Sequence, residues 1–138
     1  MTHHSMNIRV YYEDTDAGGV MYHGTHLDYG ERGRTEFLRS IGHQNSDLRN
    51  DFGMIFVVKK LDIEYNGPAF LDDLLRLESS IETMRNSSFT MRQKLYCETR
   101  DNVLISDMHV VLVCIDENTL RPMRMPDALR GQFEKFVE

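Results

Sequence analysis

The chain opens with a short alternating run, in which Ile8, Val10 and Tyr12 are separated by Asn7, Arg9 and Tyr11. Alternation at a period of two predicts a β-strand over 7–12. Glu13-Asp14-Thr15-Asp16-Ala17-Gly18-Gly19 follows, polar and glycine-rich, and reads as a loop. From about His23 the spacing lengthens. Leu27, Gly30, Arg34, Phe37, Leu38 and Ile41 recur at intervals of three and four, which predicts a long helix stopped by Gly42. Gly30 and Gly33 fall inside that helix, each at a cost of about 1 kcal/mol relative to alanine. Close approach of another backbone is the expected compensation. A second, shorter helical turn is expected around 46–50.

The period then returns to two. Segments 55–65, 74–84, 89–97 and 103–115 are four long strand candidates. In the second, Leu75, Leu77 and Ile81 share one face, and Arg76, Glu78 and Glu82 the other. Turns are legible at Asn66-Gly67-Pro68, Asn86-Ser87-Ser88 and Asp101-Asn102. Pro126-Asp127 opens a terminal helix with Leu129, Phe133, Phe136 and Val137 on its apolar side. One strand, a long helix, four strands and a terminal helix cannot make a doubly wound sheet, because too few helices remain to cross between parallel strands. The expected class is α+β: an antiparallel five-stranded sheet wrapped around one long helix, plus a C-terminal helix. Such a sheet has free edges and one poorly covered face, so an oligomer is expected. Residues 6–138 read as one domain, and 1–5 as a tail or cloning remnant.

Composition narrows the function. The 138 residues are 41% hydrophobic and 28% charged, enough to bury a core without disulfide or metal. A net charge of −6 argues against nucleic acid as a partner. The longest apolar run, Val110 to Ile115, is far short of the roughly twenty residues of a transmembrane helix. No secretory h-region is read at the start, so a cytoplasmic location is expected. Cys97 and Cys114 lie in strand-like runs and are expected to be buried, reduced thiols.

Only 11–23 gathers chemistry: three acids, three tyrosines and a histidine between a strand and a helix start. Asp14-Thr15-Asp16 resembles the opening of a calcium loop, but Gly18 and Thr25 stand where further ligands belong. A carboxylate pair could serve phosphoryl transfer, although that design usually sits on a parallel sheet. Acyl transfer fits a carboxylate beside a helix start, where unpaired N–H groups can hold an oxyanion. Loop and cap residues with no chemistry are the fourth reading.

The run Val10-Tyr11-Tyr12-Glu13-Asp14-Thr15-Asp16-Ala17-Gly18-Gly19-Val20-Met21-Tyr22-His23 resembles the signature of the 4-hydroxybenzoyl-CoA thioesterase family of hotdog-fold proteins. Within that family it is most similar to the acyl-CoA thioesterases of the Tol–Pal gene cluster, the YbgC group. The likeness continues at 31–39, 56–61, 68–73, 84–88 and 111–116. The resemblance implies hydrolysis of an acyl-coenzyme A thioester with no metal and no prosthetic group. It places the catalytic carboxylate on Asp16, with Tyr12 and His23 lining the site and the backbone amides of Tyr22 and His23 as oxyanion donors. It implies a homodimer with the site at its interface, often paired again into a tetramer, and possible partners in lipid synthesis or the cell envelope. The group usually carries a bulky residue in place of Gly30 and often alanine in place of Gly33, so extra room for a longer acyl chain is expected there. The other class kept open is a non-catalytic acyl-CoA binding or scaffold protein of the envelope machinery.

Lys59, Lys60, Arg85, Arg92 and Lys94 are candidates to meet the coenzyme A phosphates. Lys60, and Arg85 with Ser87 beside a turn, are the preferred substrate-binding set. His43 and His109 read as structural, Phe133 and Phe136 as packing. Glu31, Arg34, Glu36 and Arg39 read as surface pairs on the helix.

Overall fold

The computed structural model describes residues 2–138. Its elements are β1 (His4–Arg9), a 3-10 turn (Tyr12–Asp14), α1 (Thr25–Ser40), α2 (Asn45–Phe52), β2 (Met54–Tyr65), β3 (Leu74–Met84), β4 (Ser88–Cys97), a 3-10 turn (Glu98–Arg100), β5 (Val103–Asp116) and α3 (Asp127–Glu134). The strands form one sheet in the order β1-β3-β4-β5-β2, and every pairing is antiparallel. This is the hotdog arrangement, a sheet wrapped around one long helix. Among the described residues no helix is long and apolar enough to cross a membrane.

Alternation gives the sheet two unlike faces. Leu75, Leu77, Ile81, Met91, Leu95, Met108 and Val110 are buried and face α1, whose own buried positions include Tyr29, Gly30, Gly33 and Phe37. Cys97 and Cys114 are both free and buried, and burial pushes the Cys114 thiol up to about 12. The opposite face carries charge pairs: Arg92 with Asp107 at 2.9 Å, and His109 with Glu82 at 3.0 Å.

The glycines of α1 act differently from the expectation. A Cβ on Gly33 would lie 2.3 Å from Leu77 Cδ2 and 2.9 Å from Gln93 Nε2, and one on Gly30 would lie 3.2 Å from Met108 Cε. Side chains of the sheet, not another backbone, fill the space that the glycines vacate. The room expected beside these glycines is accordingly taken up by side chains of the sheet. Gln93 is fully buried; its Nε2 donates to the Gly30 carbonyl at 2.9 Å and to Ser79 Oγ at 3.0 Å. Arg34 donates to Gln93 Oε1 at 3.1 Å, so it turns inward rather than joining a surface pair as expected. Glu36 and Arg39 do pair.

Boundaries shift where long-range pairing outweighs local pattern. His4 and Ser5, expected in a tail, belong to β1 because they pair with Ser79 and Glu78. Tyr12, expected at a strand end, lies in the first 3-10 turn. The second helix runs a full two turns, started by Asp47 accepting the Gln44 N–H at 2.9 Å and ended by Gly53 at φ +60°. Phe136 and Val137 lie beyond α3; the Phe136 carbonyl accepts the Ile81 N–H at 2.9 Å, docking the C-terminus on β3. His43 Nε2 bonds Gln132 Oε1 at 2.7 Å.

His26, in the first turn of α1, is buried. Its Nδ1 lies 2.9 Å from Ser106 Oγ on β5, and its ring stands edge-on to Tyr65 at 4.8 Å. Burial, reinforced by nearby His23, lowers its pKa from 6.5 to about 4.

Two measurements follow from this packing. Gly33→Ala forces Leu77 and Gln93 to move, at a cost of about 1–3 kcal/mol only partly offset by the helix preference of alanine. We expect a melting temperature several degrees lower; an unchanged or higher one contradicts the close approach. The unfolded chain protonates His26 from its ordinary pKa of 6.5, whereas the folded protein resists until about 4. The stabilising contribution is therefore complete above pH 6.5 and is lost as pH falls toward 4. We expect His26→Asn to flatten the melting temperature over that window relative to the parent protein, and equal slopes would remove His26 as the origin.

Candidate active site

The loop between β1 and α1 is tied to one end of the sheet. Val10 N–H donates to Asp73 C=O at 2.9 Å, Asp72 N–H to Val10 C=O at 3.0 Å, and Met21 N–H to Ala69 C=O at 2.7 Å. Within the loop the backbone forms a tight hairpin. Tyr22 N–H donates to Asp14 C=O at 2.8 Å, Asp16 N–H to Val20 C=O at 2.8 Å, and Gly19 N–H to Asp16 C=O at 3.0 Å. Gly19 closes the turn at φ +81°, a left-handed conformation that glycine adopts without a Cβ clash.

The hairpin puts the two aspartates to different uses. Asp14 Oδ2 accepts the Tyr11 N–H at 2.9 Å and the buried Tyr29 hydroxyl at 2.7 Å. Burial and this carboxylate raise the Tyr29 pKa, so its hydroxyl keeps the donor proton. Asp14 thereby braces the loop through Oδ2, while its Oδ1 takes no hydrogen bond among the described residues. Asp16 Oδ1 accepts the Gly18 N–H at 2.8 Å and the Val20 N–H at 3.4 Å, while its Oδ2 takes no hydrogen bond among the described residues. Asp16 is exposed in the protomer. A Cβ on Gly18 would lie 3.2 Å from Asp16 Oδ1, so glycine there leaves space around the carboxylate.

The other arm of the hairpin leads into the helix. Thr25 N–H donates to Tyr22 C=O at 3.0 Å and Leu27 N–H to Gly24 C=O at 3.1 Å. The family resemblance places the Tyr22 amide among the oxyanion donors, but that N–H is already given to the Asp14 carbonyl. The N–H groups of His23 and Gly24 have no acceptor among the described residues, so the unspent donors sit one residue further on. They lie at the positive end of the α1 dipole. The His23 ring lies 4.3 Å from that of Tyr22 and is exposed. Tyr12, 82% exposed, sits in the 3-10 turn where the loop begins. Asp16 and the His23 amide thus occupy two arms of one hairpin, with Tyr12 and His23 facing solvent around it.

Sequence reasoning missed Tyr29 and Tyr65. Tyr29 braces Asp14, and Tyr65 donates its hydroxyl to the His23 carbonyl at 3.0 Å. Neither has a local signal, since their partners lie far off in sequence. The predicted phosphate-binding residues are not beside Asp16 in one protomer. Arg85 and Ser87 occupy the turn from β3 to β4; the Arg85 N–H bonds Ser88 C=O at 2.8 Å, and Ser87 C=O accepts the Cys114 N–H at 2.8 Å. The loop, in contrast, docks at the start of β3 beside Asp72 and Asp73. β3 is 11 residues long, so the two places are roughly 30 Å apart along the strand. Lys60, exposed on β2, is level with Thr83 near the β3–β4 turn through the pairings with Val111 and Thr90, and lies 3.6 Å from Asp62.

A cavity of about 670 Å³ lies between α1, α2 and β2, with Phe37, Leu48, Phe56 and Phe133 among its apolar walls and Arg34 at its side. None of Tyr12, Asp16, Tyr22 or His23 lines it.

The chain matches the family described as the thioesterase-like superfamily over residues 10–133. It is 38% identical over 128 residues to the acyl-CoA thioester hydrolase YbgC of Escherichia coli O6:H1, covering 93% of each chain. It is 37% identical over 129 residues to the acyl-CoA thioesterase YbgC of Haemophilus influenzae, covering 94% of this chain and 93% of the relative. The crystal structure of a probable thioesterase from Bartonella henselae has a TM-score of 0.84 at 32% identity, covering 91% of this chain and 100% of that one. With a family match across most of its length and relatives this similar, the chain belongs to the thioesterase-like superfamily and is closely related to the YbgC proteins.

Proposed function

We propose that this protein hydrolyses the thioester of acyl-coenzyme A to the free acid and coenzyme A, with Asp16 as the reacting carboxylate and the His23 and Gly24 amides as the oxyanion hole. The observation that carries this reading is the hairpin itself. It presents a carboxylate with one oxygen free of hydrogen bonds on one arm and two undonated amides on the other. Both groups belong to the stretch that aligns with the YbgC relatives, whose names state acyl-CoA thioesterase activity.

The amides meet the thioester oxygen, whose charge grows as the carbonyl carbon becomes tetrahedral, so they stabilise the transition state more than the ground state. In one route Asp16 attacks the carbonyl carbon, the C–S bond breaks, coenzyme A leaves as thiolate, and water opens the mixed anhydride. In the other, Asp16 takes a proton from the water that attacks the carbonyl carbon, the C–S bond breaks as the tetrahedral intermediate collapses, and the proton passes on to the departing thiolate. His23 and Tyr12 line the opening through which the thioester arrives.

The long edge of β2 argues for a dimer. Its 12 residues are hydrogen-bonded to β5 on one side only, and Val57 and Val58 are exposed. Unpaired edges of this length invite a second strand. Pairing two β2 edges antiparallel carries the far end of one sheet to the near end of the other. The partner's Arg85 and Ser87 then approach the loop that holds Asp16, and the 30 Å separation within one protomer ceases to matter. On this reading the coenzyme A phosphates rest on the partner.

Asp16→Asn keeps an oxygen for the Gly18 N–H, so the loop keeps its shape. We expect thiol release to fall by at least about a hundredfold with melting temperature and acyl-CoA binding retained. Equal release from both proteins refutes the assigned role and leaves a non-catalytic binding protein. Label found in Asp16 after a single turnover in oxygen-18 water identifies the anhydride route, with water adding at the aspartyl carbon; neither general-base attack nor opening at the acyl carbon labels the side chain. Arg85→Ala is expected to raise KM for acyl-CoA several-fold with little change in kcat, and an unaltered KM removes it from the binding set.

A further inference from the structure

We propose that Tyr65 is a positioning residue for the oxyanion hole, holding the peptide plane that presents the Gly24 amide. The inference rests on the reading of these amides given above. The His23 carbonyl and the Gly24 N–H share one rigid plane. Among the described residues that plane receives a single hydrogen bond, from the Tyr65 hydroxyl to the His23 carbonyl at 3.0 Å. In a regular helix Leu27 would donate to the His23 carbonyl; here Leu27 donates to Gly24 C=O instead. The neighbouring plane, which carries the His23 N–H, needs no such help, because the Thr25 N–H holds its Tyr22 carbonyl at 3.0 Å. One donor plane is thus braced by the helix and the other by a side chain from the sheet.

Tyr65 is itself held from two directions. It pairs with Ser106 in the β2–β5 register. Ser106 Oγ lies 2.9 Å from His26 Nδ1, and the His26 ring stands perpendicular to that of Tyr65 at 4.8 Å. β2, β5 and the first turn of α1 therefore close a ring of contacts whose fourth member is the His23 carbonyl. The ring resists rotation of the His23–Gly24 plane. A hydrogen bond at the carbonyl end also polarises the N–H at the other end. A Cβ on Gly24 would lie 2.8 Å from Tyr22 Cε2, so the absence of a side chain lets the Tyr22 ring lie against the same plane.

Tyr65→Phe keeps the ring and its contact with His26 and removes only the hydroxyl. Deleting an oxyanion donor outright costs about a hundred- to a thousandfold in rate. Loosening one of two donors is expected to lower kcat about tenfold, with KM within twofold and the melting transition preserved. The spectroscopic readout uses Asp16→Asn, which binds without turnover, and the thioester turned over fastest in a series of straight-chain and benzoyl coenzyme A esters, carrying 13C at its carbonyl. Infrared difference spectra should show the carbonyl band shifted to lower frequency on binding, and the shift should shrink when Tyr65→Phe is added. A wild-type kcat for Tyr65→Phe overturns the proposal. So does an undiminished shift in the double variant, even beside a slower kcat, since Tyr65 would then act only on general stability. Absence of any shift in Asp16→Asn alone rejects the amides as the oxyanion hole, and the role of Tyr65 falls with them.

Discussion

The shape of the candidate site depends on Asp14, a half-buried residue whose Oδ2 is engaged by two donors within the protein. Its carboxylate accepts the Tyr11 N–H and the Tyr29 hydroxyl, and its carbonyl accepts the Tyr22 N–H. Tyr29 is fully buried in the face of α1 that meets the sheet. A surface loop is thus bolted to the interior by a hydrogen bond from a buried hydroxyl to its carboxyl group. The same contacts fix the hairpin's pairing, which decides where Asp16 faces and which amides at the helix start remain undonated. A loop rich in glycine would otherwise sample many shapes.

The sheet plays a second part by separating groups. Its strands run long enough that the loop and the β3–β4 turn stand at opposite ends. The inner face is given over to α1, the outer to ion pairs, and one long edge is left unpaired. Asp16 and Arg85 therefore sit far apart in one copy of the chain, and the proposed pairing of β2 edges is what would bring them together.

Much of the fold was legible because alternation and helical spacing are local properties. β3, β4 and the body of α1 lie where their periodicity puts them. Pairing across the sheet is not local, so nothing in the spacing of His4 and Ser5 distinguishes them from a tail, although they pair with Ser79 and Glu78. Inward polar residues also mislead: Arg34 has the spacing of a surface pair, yet it reaches the amide oxygen of buried Gln93, which itself donates to the Gly30 carbonyl. The acid loop stood out by composition, yet spacing could not divide the labour between its two aspartates. Nor could it tell that the Tyr22 amide is taken, since its acceptor is fixed only when the hairpin closes.

The fit between Gly33 and Leu77 has an evolutionary consequence. A helix residue without a side chain and a branched side chain on the facing strand occupy one shared volume. The inverse filling, with a methyl group on the helix and a smaller residue on the strand, would use the same space. Neither position can enlarge alone without parting the two layers, so among kindred sequences the pair should drift in concert, each gain in bulk on one side matched by a loss on the other.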